Sequence, residues 1–142
     1  MNHRVLGNLL RISRCFENYR RQQIKDVDIY PALQLFVSYI CRHPGCIQEN
    51  LVEELCIDKT TVTHHLMRLE EKGYIIRKVS EEDARCRLVY PTEKAIAIMP
   101  QLHDTYVTFY DTLFQGLSEE EQQQVAVLAE KLYHNVYGLI KK

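Results

Sequence analysis

The sequence has few of the features that mark membrane proteins and most enzymes. No apolar run approaches the ~18 residues that a helix needs to span a membrane. The N-terminal apolar run is interrupted by Asn8, Arg11 and Arg14 and lacks a small-residue cleavage site, so it does not match a signal peptide. With only five glycines, the chain has no glycine-rich phosphate loop, and neither G-x-S-x-G nor H-E-x-x-H occurs. These absences predict a cytoplasmic protein that is not an enzyme and uses no cofactor.

The cysteines form neither a disulfide framework nor a metal-ligand pattern. Their number is odd and they are scattered, at Cys15, Cys41, Cys46, Cys56 and Cys86. This usage is typical of reduced thiols in the cytosol. The run CRHPGC contains soft ligands without the spacing of a structural zinc site. His64 and His65 are adjacent and diverge by about 100° on a helix, so both cannot bind one ion. We therefore predict no metal site.

The length and composition are those of one globular domain with a real core. The chain has 142 residues, of which 46% are apolar and 26% charged. Its net charge is −1, but residues 1–28 carry six cations against three acids, a net +3, and residues 95–142 carry three cations against six acids, a net −3. Net charge therefore neither supports nor excludes a nucleic-acid partner, and any basic surface must be local.

Apolar spacing predicts four helices in the first half of the chain. A 4-3-4-3 stripe predicts the first helix and is formed by Val5, Leu9, Ile12, Phe16 and Tyr19. Pro31 suits the first turn of a second helix, whose apolar face is formed by Leu33, Phe36, Val37 and Ile40. The run QENLVEEL predicts a short third helix. The run DKTTVTHHLMRLEEKG predicts a fourth, capped by Asp58 and closed at Gly73.

After Gly73 the residue pattern changes and predicts a β-hairpin followed by two helices. The runs at Tyr74–Val79 and Arg87–Pro91 are rich in β-branched and aromatic residues and predict two strands joined by the polar loop SEEDARC. A long helix follows, with a kink expected at Pro100, and Ser118 and Glu121 form a capping box before the last helix. The predicted fold is mostly α with a small hairpin, in the order α-α-α-α-β-β-α-α. A short helix, a tight turn, a second helix and a hairpin make a winged helix-turn-helix.

The fourth helix combines an apolar stripe with a polar N-terminal face. Val62, Leu66 and Leu69 would hold it on the body of the domain. Threonine and histidine are mediocre helix formers, and their enrichment here makes sense if that face contacts bases and phosphates in a major groove. The candidate contacts are Lys59, Thr60, Thr61, Thr63, His64 and Arg68. A threonine can also meet a thymine methyl with its own methyl. The alternative is that the face is merely solvated.

The hairpin adds a second candidate contact. Its cations are Arg77, Lys78, Arg85 and Arg87. An arginine at a ribbon tip can enter the minor groove, where the negative potential is enhanced. Asp83 is close enough along the chain to accept the guanidinium of Arg85 and orient it. The alternative is a solvated turn with an incidental ion pair, and the neighbouring Glu81 and Glu82 are unfavourable near DNA.

The run DKTTVTHHLMRLEEKGYIIRKVSEEDARCRLVYPTEKA resembles the MarR family of winged-helix transcription regulators. The likeness includes the recognition helix, the glycine that ends it, the D-x-R wing and the PTEK entry to the next helix, and it extends over residues 5–140 in order and length. It implies an obligate homodimer on pseudo-palindromic DNA, with a helical dimerisation region over residues 1–28 and 92–142 and a winged helix over residues 29–91. By the same resemblance Thr61, Thr63, His64 and Arg68 match major-groove positions, and Arg85 with Asp83 matches the wing.

The chain departs from the family at a few positions. Ile47 stands where a serine or threonine usually caps the third helix, which questions how that helix is capped. Cys56, Val52 and Pro91 replace a small turn residue, an alanine and a leucine. None of these changes the predicted fold.

The resemblance also implies a ligand cleft between the two regions. Arg11, Arg14, Tyr30 and Phe36 offer cations and aromatic rings to an aromatic or phenolic acid, or are simply core residues and solvated arginines. We predict a homodimeric, sequence-specific DNA-binding transcription regulator, with repression as its expected mode and release from DNA by a small ligand. The alternatives are a winged-helix dimer that binds proteins, suggested by the acidic hairpin, and a thiol-based redox sensor at Cys15, which is otherwise an inert cysteine.

Overall fold

The structure is a computed structural model that describes residues 3–140, and over that range it has six helices and one two-stranded sheet. The elements are α1 (Arg4–Gln23), α2 (Pro31–Arg42), α3 (Gln48–Leu55), α4 (Lys59–Glu71), β1 (Ile75–Val79), β2 (Arg87–Pro91), α5 (Glu93–Leu113) and α6 (Glu119–Ile140). This confirms the predicted fold class and element order. The first strand begins one residue later than predicted.

The chain divides into two compact units, one ending at Tyr106 and the other beginning at Val107. The expected division into a helical region over residues 1–28 and 92–142 and a winged helix over residues 29–91 stays a prediction. At its ends, residues 1–2 and 141–142 lie outside the described residues.

The core of the first unit is built mainly from the apolar faces of α2 and α4. The four apolar residues predicted on α2 are fully buried, as are Val62 and Leu69 of α4, with Leu66 beside them. Leu51 of α3 and Val89 of β2 also belong to this core. Because α4 is held along its apolar stripe, its opposite face is available to a partner.

The ends of α3 and α4 show how local residues bound these helices. Asp58 caps α4 by accepting the Thr61 backbone N–H at 2.9 Å. Gly73 ends it with a φ of 82°, and the backbone N–H of Tyr74 donates to Leu69 O at 2.9 Å, which forms a Schellman motif. Ile47 offers no hydroxyl to cap α3, but its own N–H donates to Asn50 Oδ1 at 2.9 Å. This bond therefore satisfies the backbone N–H of Ile47 at the start of α3.

The hairpin is antiparallel, with Ile75 opposite Pro91 and Val79 opposite Arg87. Its second strand is attached to the segment after α2, since the Val89 N–H donates to Cys46 O and the Gly45 N–H donates to Val89 O, both at 2.8 Å. These bonds fix the base of the hairpin to the helical body, so its tip is carried on a rigid support.

A polar cluster anchors the C-terminal end of α4. The Tyr74 hydroxyl donates to Asp28, whose other carboxylate oxygen lies 3.3 Å from Lys94 Nζ and 3.7 Å from Lys72 Nζ. The hydroxyl bond and, to a lesser extent, the lysine charges hold the pKa of Asp28 below its usual value. The cluster joins the segment after α1, the end of α4 and the start of α5, so it helps set the direction of α4.

Helices α1, α5 and α6 all carry large exposed apolar side chains. On α1 these residues are Val5, Leu6, Leu9, Leu10 and Ile12. Within the described part of the chain α6 buries none of its side chains, and its exposed apolar residues include Val125, Leu128, Leu132, Tyr133, Val136 and Ile140. Ser118 Oγ accepts the Glu121 N–H at 3.1 Å, which is the hydroxyl half of the predicted capping box. Helix α5 continues across Pro100, and the kink expected there stays a prediction.

None of the helices within residues 3–140 has the length and apolar character that a bilayer crossing requires.

Candidate nucleic-acid interface

Helices α3 and α4 are joined by three residues and by a side-chain bond at their N-terminal ends. Gln48, the first residue of α3, donates from Nε2 to Thr63 Oγ1 at 2.6 Å and approaches Lys59 O at 3.4 Å. Cys56 makes the turn in the left-handed conformation, with a φ of 51°. A tight turn and a cross-helix bond fix the angle between the two helices, which a helix-turn-helix needs to present its second helix.

The exposed face of α4 carries most of the predicted contact residues. Thr60, His64 and Arg68 are exposed and follow one another at intervals of four, so they form one stripe on the helix. Lys59 is also exposed, at the N-terminus, whereas Thr61 and Thr63 are half-buried. The structure therefore brings the predicted residues onto one side of α4, but two of the threonines are engaged within the protein.

Asp58 and Thr61 form a second bond besides the cap. The Thr61 hydroxyl donates to Asp58 Oδ1 at 2.7 Å. The Thr61 backbone N–H and, second, this hydroxyl lower the pKa of Asp58 below its usual 3.8. The cap therefore stays ionised and rigid beside Lys59 at the helix N-terminus, which is the end that favours phosphate groups.

His65 is a packing residue, unlike its neighbour His64. Its ring meets Phe36 edge to face at a centroid distance of 5.0 Å. Burial and, second, the charge of His64 lower its pKa below the usual 6.5. It therefore holds α4 against α2 in the neutral form.

The hairpin tip places Arg85 beside Asp83, and the predicted entry of Arg85 into a minor groove stays a prediction. The side chain of Arg85 is 94% exposed, and its Nε lies 3.5 Å from Asp83 Oδ1. The same oxygen accepts the Arg85 backbone N–H at 3.0 Å. Ser80 Oγ accepts the N–H groups of Glu82 and Asp83, at 3.2 and 3.4 Å, so the loop has a defined backbone. The arginine is thus presented to solvent with its guanidinium beside an orienting carboxylate.

Arg77 has a different environment from the other hairpin cations. Its Nε and Nη2 donate to the two carboxylate oxygens of Glu70 at 3.2 and 3.1 Å, and its side chain is only 16% exposed. This pair lowers the pKa of Glu70. Arg77 therefore ties the hairpin to α4. Lys78 lies 5.3 Å from the centre of the Tyr90 ring, and Arg87 is exposed.

Three arginines meet at a small polar cavity of about 180 Å³ between the hairpin and the start of α3. Its walls include Arg77, Arg85, Arg87, Ile47 and Gln48.

The contacts of Gln48 with Thr63 and of Glu70 with Arg77 were missed by sequence reasoning. They link residues 15 and 7 positions apart, and nothing in the local pattern indicates them.

The four residues predicted to bind a ligand differ in burial. Phe36 is fully buried in the core, because its ring packs between helices against His65. Arg11 and Arg14 are exposed on α1, and Tyr30 is exposed just before α2. A ligand site that includes these four side chains stays a prediction.

A larger cavity, of about 480 Å³, lies elsewhere among α1, α2 and the first half of α5. Its lining is Phe16, Arg20, Gln34, Leu35, Ser38, Arg42, Met99, Leu102, His103 and Tyr106. Arg20 is buried and donates from Nη1 to Pro31 O at 2.8 Å, and burial lowers its pKa. Among the described residues, Arg20 Nε and Gln34 Oε1 have no hydrogen-bond partner. A buried donor and acceptor of this kind are rare, and they mark the wall of a polar site.

The cysteines differ in exposure. Cys15 is exposed on α1, whereas burial raises the pKa of the Cys41 and Cys46 thiols. No group of three or more His, Cys, Asp or Glu side chains within the described residues could hold a metal ion.

The geometry defines a class of protein. A short helix, a bonded second helix with an exposed polar stripe, and an arginine-tipped hairpin form a winged helix-turn-helix. Residues 36–87, which span α2 to the start of β2, match the model of the MarR family. The family match thus covers the winged helix, and the chain as a whole is similar to MarR-type transcription regulators.

Relatives with this fold match nearly the whole chain. The uncharacterized HTH-type transcriptional regulator YybA of Bacillus subtilis (strain 168) is 26% identical over 132 residues, which are 93% of this chain and 88% of YybA. The crystal structure of the transcriptional regulator SlyA is 27% identical, covers 96% of this chain and 99% of its own, and gives a TM-score of 0.90. A protein described as a MarR family transcriptional regulator from Listeria monocytogenes, complexed with 26mer DNA, is 26% identical, covers 94% and 89% of the two chains and gives a TM-score of 0.89. The family and these neighbours are transcription regulators rather than enzymes.

Proposed function

We propose that the protein acts as a homodimer that binds a pseudo-palindromic DNA operator in a sequence-specific manner and represses transcription. The observation that carries the proposal is the exposed stripe of Thr60, His64 and Arg68 on a helix held by its opposite, apolar face. Each α4 enters a major groove, and half-sites lie about one helical turn, ~10 bp, apart. The DNA complex of the Listeria relative supports the same use of this fold.

Affinity and specificity come from different residues. Lys59, Arg68, Lys78, Arg85 and Arg87 neutralise phosphates and release counterions. Thr61, Thr63 and His64 discriminate among base edges, because phosphate contacts carry no sequence information. Arg77, paired with Glu70, acts by holding the wing against α4.

The exposed apolar residues of α1 and α6 support the dimer. Monomers rarely expose contiguous apolar patches of more than a few hundred Å², and larger ones mark association surfaces. We propose that α1, α5 and α6 of two chains pair, as expected from the MarR resemblance. Because the proposed partner is genomic DNA, the site of action is the cytoplasm.

The 480 Å³ cavity supports regulation by a small ligand. Arg20, Arg42 and His103 offer positive charge or hydrogen bonds, while Phe16 and Tyr106 offer rings, which suits an aromatic or phenolic acid. A ligand there would contact α1, α2 and α5 at once. Binding that favours one arrangement of these helices would shift the protein away from its DNA-bound state.

The test is selection of duplexes from a random pool, followed by light scattering of the free protein. We expect a dimer and an enriched palindrome that Thr60→Ala/His64→Ala/Arg68→Ala no longer binds. Glu54→Ala on α3 is the surface control, because Glu54 is exposed and lies outside both the α4 stripe and the helices proposed to pair. A monomer, or no enrichment at low salt, contradicts the proposal.

Two other functions rest on single observations. Glu81 and Glu82 are exposed at the wing, which favours a protein partner over DNA, and a folded dimer without DNA binding would support that function. The exposed Cys15 favours a thiol sensor. That function requires peroxide to release the protein from DNA, with Cys15→Ser abolishing the release.

A further inference from the structure

The hydroxyl of Thr63 already makes two hydrogen bonds within the protein. A threonine hydroxyl has one hydrogen to donate and two lone pairs to accept. Thr63 Oγ1 donates its hydrogen to Lys59 O at 2.9 Å, and one lone pair accepts from Gln48 Nε2 at 2.6 Å. Without breaking these bonds it cannot donate to a phosphate oxygen, to guanine or to thymine O4, all of which are acceptors.

What Thr63 still offers to a major groove is one lone pair, which can accept from adenine N6 or cytosine N4, and its methyl group. The half-buried Gln48 side chain lies over the hydroxyl, and the bond to Lys59 O directs the oxygen back along α4. The methyl is attached to the same carbon at a tetrahedral angle to the oxygen, so it takes a different direction from the hydroxyl that these two bonds hold. In a major groove the apolar group that a methyl can contact is the 5-methyl of thymine.

We propose that Thr63 selects thymine through methyl contact rather than through a hydrogen bond, and that Gln48 is the positioning residue that fixes this orientation. The inference rests on the proposed function, because it assumes that α4 enters the major groove. It adds a base preference at one position of each half-site and a role for a residue of α3.

Gln48 acts from outside the recognition helix. Its amide spans the turn to reach the Thr63 hydroxyl and, more distantly, Lys59 O at 3.4 Å. Without that donor, the Thr63 hydroxyl keeps only its bond to the preceding turn. The side chain can then rotate and offer its oxygen to the groove, which would weaken the preference for a methyl.

The experiment replaces each thymine of the selected operator in turn by deoxyuridine, which pairs identically but lacks the 5-methyl. Burying one such group is worth about fourfold in affinity, so we expect one symmetric position where deoxyuridine weakens wild-type binding about fourfold per half-site. Thr63→Ser keeps the hydroxyl and loses the methyl, so thymine and deoxyuridine should bind it equally there. Thr63→Val keeps a methyl at that place and should retain the thymine preference even if total affinity falls.

Two further variants separate positioning from folding. Gln48→Met preserves side-chain length without a donor and should lower the preference for thymine over deoxyuridine at that same position. If Gln48 had a purely structural role, the substitution would reduce the affinity for the thymine and the deoxyuridine operator equally. Thr112→Ser is the matched control, because Thr112 on α5 makes the same bond to the preceding turn, to Thr108 O at 2.9 Å. It should leave the preference unchanged.

The outcomes are distinct. Binding of an operator in which no thymine replacement matters overturns the inference and leaves the proposed function intact. Retention of the full effect by Thr63→Ser, or its loss in Thr63→Val, overturns it as well. If the wild-type chain selects no duplex, the proposed function itself fails and the inference falls with it.

Discussion

Removal of the wing arginine should change the salt dependence of DNA binding more than the stability of the protein. The Arg85 side chain is 94% exposed and its ion pair with Asp83 is at the surface, where such pairs contribute only ~0–1 kcal/mol. Arg85→Ala should therefore change the affinity for DNA rather than the free energy of unfolding. Each cation that neutralises a phosphate adds about 0.9 to the slope of log affinity against log salt, so a dimer should lose about 1.8. Between about 50 and 200 mM salt, wild-type affinity should fall about 12-fold more than that of the variant.

The assay is fluorescence anisotropy of a labelled operator at four or more salt concentrations. Arg21→Ala is the matched control, since it removes one exposed cation from each protomer at a place on α1 where Arg21 pairs with Glu17 at 3.1 Å. Its slope should equal that of the wild type. Thermal unfolding of both variants should stay close to that of the parent protein.

Equal slopes of log affinity against log salt for Arg85→Ala and the wild type would refute the role of the wing. An equal change of slope in Arg21→Ala would also refute it, because the effect would then come from net charge rather than from a contact at the hairpin tip.

Three further predictions concern stability. Leu66→Ala removes a side chain that is 1% exposed and should lower the free energy of unfolding by about 3–5 kcal/mol in a urea titration; a loss below about 1 kcal/mol would contradict its place in the core. Since burial lowers the pKa of His65 below 6.5, the unfolded chain takes up the proton first, and stability should fall as pH drops through 6.5 toward the folded pKa. His65→Gln should flatten that dependence, as measured by urea midpoints from pH 7 to 5. Gly73→Ala should cost about 1–2 kcal/mol by backbone strain alone, because its Cβ would meet nothing within 4 Å, and Gly73→Asn should cost less by the same titration.

The order of elements was predictable because its signals are local. Pro31 at the start of α2, Asp58 before α4 and Gly73 after it act within one turn of the backbone. The apolar stripes depend only on spacing, and the faces that they predicted on α2 and α4 are the faces that the core buries. The Asp83–Arg85 contact was also accessible, since the two residues are only two positions apart.

The ligand residues were not predictable in the same way. Phe36 carries an aromatic ring whether it lines a cavity or fills the core, and its fate depends on how α2 meets α4. The cavity lined by Arg20, Gln34 and His103 requires three helices to converge, and no spacing within one helix encodes that.

The sequence by itself determined which segments become helices or strands and which of them carry threonine, histidine and arginine, because secondary structure and amphipathicity arise from neighbours along the chain. Only the tertiary structure decided how those side chains are used. Glu70 binds Arg77, and Gln48 takes the hydroxyl of Thr63, because folding brings their polar atoms within bonding distance. A side chain's capacity for hydrogen bonds is set by its chemistry, but what remains of that capacity for DNA depends on which partners the fold places beside it.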